Sequence, residues 1–107
     1  CGEQNKNLPL WAELTYGKRG MISVGKEITL EKTSEMFPEH IIMGNVDPVV
    51  LQEGTPKEVL DLCRLSIEEG MAHPGGFALM TGCEVPPVAP PVNVGQMVTA
   101  CRQFGRY

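Results

Sequence analysis

The amino-acid sequence predicts an α/β fold built from parallel βα units, about three in a row. Three observations predict it. Short apolar runs at 20–25, 41–43 and 77–81 alternate with stretches of helical periodicity. Glycine or proline stands at nearly every change of pattern. The last run, Phe77 to Thr81, is apolar without a break until Thr81, as expected of a parallel strand covered on both faces.

Each element has its own justification. LPLWAELT, residues 8–15, follows Asn7 and reads as a short helix that tolerates Pro9 in its first turn. Its face would carry Leu8, Trp11, Ala12 and Tyr16. YGKRG is a turn, and GMISVG a strand between glycines. Thr29 caps a helix over 30–37, which Pro38 follows. Ile41, Ile42 and Met43 form the second strand, closed by Gly44 and Asn45; residues 47–52 are a turn or one helical turn. Thr55, Pro56 and Glu58 form a capping box with proline at the first helical position. The helix they open runs to about Glu69, with Gly70 as a left-handed stop. After the third strand comes the proline-rich loop, and Asn93 with Gln96 makes a second capping pair. Val94, Met97, Val98, Cys101 and Phe104 recur at helical spacing, and Gly105 ends that helix.

The chain of 107 residues is one domain, 1–107, and a partial one. Alternating strands and helices mean right-handed crossovers. A closed (β/α)8 TIM barrel needs roughly 250 residues. The sequence is therefore a small open sheet or a piece of a barrel, and the missing initial Met favours the piece. An open parallel sheet leaves two bare edges, which favours a homo-oligomer. The formal net charge is −4, with nine Lys and Arg scattered along the chain, so nucleic acid is not an expected partner. No run of about 18 apolar residues exists, so no membrane span is expected. The opening CGEQNKNLPLW lacks a leader pattern, and Cys1, Cys63, Cys83 and Cys101 show no CxxC spacing, which reads as a reduced, cytoplasmic chain.

In parallel α/β folds chemistry gathers at the carboxyl ends of strands. Lys26 and Glu27 follow the first strand, Asn45 and Asp47 the second, and Cys83 and Glu84 the third. Cys1 reads as the start of a loop that follows a strand. Each has a plain structural reading too: Asn45 and Asp47 cap the turn before Pro48, and Cys83 merely ends its strand. Cys63 and Cys101 lie on apolar helix faces and read as core. The six methionines read as core as well. His40, before the second strand, reads as a surface residue on the other rim, His73 in the turn MAHPGG as exposed too, and Glu68–Glu69 as a solvated helix end. Cys1 and Cys83 could be two thiolate ligands of zinc (Zn2+); a third ligand must then come from elsewhere.

HIIMGNVDPVVLQEGTPKEVLDLCRLSIEEG, followed by GGFALMTGCEVPPVAPPVNVGQMVTACRQFG, resembles the carboxyl-terminal part of the uroporphyrinogen decarboxylase superfamily. The GNVDP turn, the GTPKEV helix start and the GC-PP-PP-NV stretch stand in that family's order. The resemblance implies a C-terminal fragment of a (β/α)8 barrel. It also implies a choice between two branches. The decarboxylases of tetrapyrrole synthesis carry Gly-His-Gly where this chain has Gly82-Cys83-Glu84. The cobamide-dependent methyltransferases carry a zinc-binding cysteine there, paired with an upstream His-x-Cys followed by Gly, and Cys1-Gly2 matches the second half of that motif.

On this resemblance Cys1 and Cys83 are metal ligands, and the third ligand, a His, lies two residues before Cys1. Asn45, Asp47 and Glu84 line the catalytic mouth. The parent enzyme moves a methyl group between a corrinoid, carried by a corrinoid-binding partner protein, and a thiol or small methylated substrate. The zinc activates the thiol. The 107-residue piece alone is then expected to be inactive and to bind zinc weakly or not at all. A decarboxylase-like relative and a non-catalytic small α/β module are the alternatives.

Overall fold

Ile41–Val46 form the middle strand, β2, of a three-stranded parallel sheet in the computed structural model, which describes residues 2–107. The elements run α1 (Leu8–Ala12), β1 (Met21–Ser23), α2 (Leu30–Met36), β2, α3 (Pro48–Glu53), α4 (Pro56–Met71), β3 (Phe77–Thr81) and α5 (Pro91–Phe104). The strand order is β1-β2-β3. Ile22 pairs with Ile42, Met43 with Ala78, and Val46 with Thr81. This is the arrangement of consecutive βα units in an α/β barrel.

Local chemistry explains most boundaries. The Thr29 hydroxyl accepts the Lys32 amide at 3.2 Å and opens α2. At α4 both halves of the capping box are made: the Glu58 amide donates to Thr55 Oγ1 at 3.3 Å, and the Thr55 amide donates to the Glu58 carboxylate at 2.7 Å. β2 is longer than the three residues expected, because Asn45 and Val46 find partners in Met80 and Thr81 of β3. α1 is shorter than expected. Leu8 is buried and Trp11 and Tyr16 pack on the core, whereas Ala12 is exposed.

Two helix ends depart from expectation. Gly70 does not stop α4; it is a buried helical residue, and the helix runs on to Met71. A Cβ there would sit 2.2 Å from the Phe77 ring, so glycine serves close packing of α4 on β3. Asn93 does not cap α5, which begins two residues earlier with Pro90 at the cap. Its side chain is buried, and its amide donates to the carbonyls of Leu51 at 3.0 Å and Gly54 at 2.8 Å, tying α5 to the end of α3.

The helices cover one face of the sheet. Ile22 and Ile42 join Leu8, Val24, Ile28, Leu30 and Phe37 in one core cluster. Val46 joins Leu51, Val59, Cys63, Ile67 and Ala100 in a second, between α3, α4, α5 and the sheet. Phe77 touches both. Each fully buried large apolar side chain contributes roughly 1.5–3 kcal/mol. Cys63 is core as expected, but Cys101 is exposed: it lines an open cleft with Ile67 and Met71 of α4 and Phe77 and Leu79 of β3. β3 is half-buried rather than covered on both faces, since it edges the sheet and the described helices pack on one side. The other face carries Met21, Ile41, Met43, Ala78 and Met80, none of which belongs to either cluster, so these three methionines are not core. Among the described residues no helix is long and apolar enough to cross a membrane.

Candidate functional site at the carboxyl ends of the strands

Parallel pairing in register brings the residues that follow β1, β2 and β3 to one rim. Glycine allows their close approach. A Cβ on Gly82 would lie 3.0 Å from the Lys26 amide nitrogen, and one on Gly44 would lie 2.7 Å from the Val24 carbonyl oxygen. The loops after β1 and β3 therefore meet over the end of β2. Between them is a cavity of about 200 Å³, lined by Gly2, Lys26, Glu27, Asp47 and Cys83 among others.

Asp47 organises this rim. Its Oδ1 accepts the Val49 amide at 2.9 Å and caps α3. Its Oδ2 accepts Lys26 Nζ at 2.6 Å. That hydrogen bond is the main reason the Lys26 ammonium titrates above the ordinary lysine range. The two side chains are 44% and 21% exposed, so the pair fixes geometry more than it adds stability.

The expected site residues do not all converge. Asp47 and Cys83 line the cavity. Asn45 faces elsewhere: its amide donates to the Ile28 carbonyl at 3.1 Å, and its carbonyl oxygen accepts the Ser66 hydroxyl at 3.3 Å. It locks β2 to the loop after β1 and to α4. Glu84 is exposed and does not line the cavity. Cys1 lies outside the described residues, although Gly2 lines the same cavity as Cys83. Lys26 had no signal of its own beyond its place after a strand; its partner stands 21 residues away. The histidines also differ from expectation. His73 is buried, and His40 is half-buried against the rings of Tyr16 and Phe37.

The donor set bears on the expected zinc. Cys83 would be a soft donor of the right kind only as a thiolate, and it is not free here; among the described residues the free thiols are Cys63 and Cys101. Zinc takes three or four protein ligands. Among the described residues no group of three His, Cys, Asp or Glu side chains could hold a metal ion. The described residues therefore do not form a zinc site by themselves.

Comparison with known proteins agrees with the resemblance in the sequence. The chain is similar to a methylcobamide:CoM methyltransferase, MtbA, of Methanosarcina acetivorans, at 27% identity over 105 residues. The match covers 97% of this chain and 29% of that protein, so the chain spans less than a third of its relative's length. No solved structure matches it. The family described as uroporphyrinogen decarboxylase (URO-D) matches residues 1–104, nearly the whole sequence, and the chain belongs to that family.

Proposed function

We propose that the chain is part of a corrinoid-linked methyltransferase that moves a methyl group between a corrinoid and a thiol or a methylated substrate. The observation that carries the reading is Cys83 at the end of β3, sharing a cavity with Gly2, Lys26 and Asp47. The similarity to a protein named as a methylcobamide:CoM methyltransferase supports it. Cys83 and Cys1 would be two donors to a zinc ion whose remaining ligand lies outside this chain. Bound zinc would supply Lewis acidity at the mouth. Asp47 would keep Lys26 over the cavity, and Lys26 would present its ammonium to the substrate. Asn45 would position the β2 end, and Glu84 would stand at the outer rim. A corrinoid-binding protein and a small thiol or methylated compound would be the partners, in the cytoplasm.

The test is elemental analysis of the full-length protein and its Cys83→Ala variant. About one zinc per chain, lost in the variant, is expected. A full-length protein without zinc overturns the reading. The second reading is a decarboxylase-like enzyme, favoured by the family's own description. Release of carbon dioxide from a tetrapyrrole carboxylate, with no methyl transfer, would establish it instead.

A further inference from the structure

The rim opposite the mouth holds an arrangement that the proposed methyl transfer does not use. His73, in the turn before β3, is only 3% exposed. Its Nε2 lies 2.6 Å from the carbonyl oxygen of His40, and its Nδ1 lies 2.7 Å from Ser34 Oγ on α2. A carbonyl oxygen can only accept, so Nε2 carries the proton. In the neutral ring Nδ1 then has the lone pair, and the Ser34 hydroxyl must donate to it. Gly75 makes the contact possible: a Cβ there would sit 2.2 Å from the His40 oxygen and 2.5 Å from His73 Nε2. A hydroxyl is thus directed at a base whose tautomer is fixed by a third group, the logic of an activated nucleophile. Both side chains line a cavity of about 370 Å³. Glu31 and Glu35 of α2 and Glu69 of α4 line it too, and no Lys or Arg does.

We propose that Ser34 and His73 form a second reactive site, a nucleophilic serine with its general base, that accepts acyl groups from small cationic esters. The three carboxylates select the positive charge. Ser34 Oγ bonds to the ester carbonyl carbon as its proton passes to His73 Nδ1. The ester C–O bond then breaks, and the alcohol leaves with that proton, giving acyl-Ser34 and free alcohol. No external oxidant or reductant is needed.

The experiment treats the 107-residue chain with a p-nitrophenyl ester bearing a trimethylammonium group, and with uncharged p-nitrophenyl acetate. Acylation is located by peptide mass spectrometry. Modification of Ser34 is expected, faster with the cationic ester and at least about 10-fold faster than at the exposed Ser23. His73→Gln should slow it by about 100-fold, the usual range for a general base. Glu35→Gln, an exposed change, should reduce the preference for the cationic ester. Because His73→Gln alters a buried contact, the preference of the unsubstituted chain for the cationic over the uncharged ester supplies an independent check. The charged or titratable groups around His73 are Glu31, Glu35, Glu69 and His40. Ser34 labelling no faster than Ser23, or no preference for the cationic ester, overturns the proposal.

Discussion

The two rims of the sheet are built on different principles. At the amino ends of β2 and β3, polar groups satisfy one another around a buried His73: it bridges Ser34 and the His40 carbonyl, and His40 Nδ1 accepts the Gly20 amide at 2.9 Å. Phe37, Tyr16 and His40 pack edge-on around them, with the Tyr16 and Phe37 centroids 6.1 Å apart. At the carboxyl ends the polar groups are partly exposed and face a cavity. The Lys26–Asp47 pair, the α3 cap and the Thr81 hydroxyl, which donates to the Cys83 carbonyl, help to order them. The amino-end rim is ordered by contacts among its own groups, the Ser34–His73 pair included, while the carboxyl-end rim leaves more of its groups open to its cavity. Buried contacts of that kind are the usual source of stability at the bottom of barrels.

The comparison can be broken or sharpened by substitution. Phe37→Ala should have the largest effect. It empties a fully buried site beside Tyr16 and His40, and a loss of about 3–5 kcal/mol in denaturant unfolding is expected. Gly75→Ala should follow, at about 1–3 kcal/mol, because its methyl group meets backbone at His40. If either protein unfolds at the wild-type midpoint, the amino-end rim is not the stabilising one.

Thr55→Ala, where α4 starts on the carboxyl-end side, should cost about 1 kcal/mol. Its pH dependence has a definite sign. The backbone hydrogen bond from Thr55 is the main cause holding the Glu58 carboxyl below its usual range. A depressed folded-state pKa contributes stability that is present above the unfolded value of 4.5 and is lost as pH falls through the lower folded value. Acid unfolding curves of the wild type and Glu58→Gln should therefore differ above about pH 4.5 and converge only as pH falls through the lower folded value. Convergence at neutral pH instead would show that the cap adds nothing. Lys26→Met should have the smallest effect on stability, with an unchanged unfolding midpoint. A drop as large as that of Gly75→Ala would erase the distinction between the rims.

Thiol chemistry gives a further check, in the helical layer between the rims. Burial, with a smaller contribution from Cys101, pushes the Cys63 thiol up to about 11. Iodoacetamide at pH 8 should modify the exposed Cys101 in the native chain and reach Cys63 only on unfolding. Equal reaction rates for the two would contradict the packing of α4 against α5.

The parts legible in the sequence are those decided within a few residues. The Thr55–Glu58 box, the Thr29 cap and the run of β3 depend on neighbours three or four positions away, and the structure has them where the pattern put them. Gly70 and Asn93 were misread because local grammar offers glycine as a stop and asparagine as a cap. Their actual partners, Phe77, Leu51 and Gly54, are fixed by tertiary packing. The candidate site divides the same way. The strand-end rule located Asp47 and Cys83 at the mouth, since parallel register alone puts them there. It could not see that Asn45 is held by Ile28 and Ser66, or that His73 is buried rather than exposed, because both depend on contacts 17 to 39 residues distant.

The uncovered sheet face has a chemical consequence. Met21 is 59% exposed, and Met43 and Met80 share its side of the sheet, whereas Met36, Met71 and Met97 pack against the core clusters. Thioether sulfur is oxidised to sulfoxide according to its access. Brief treatment with dilute peroxide would therefore mark Met21, the exposed one, first. In any chain that extended this sheet into a closed barrel, protection of Met21, Met43 and Met80 would report, thioether by thioether, that the face had been covered.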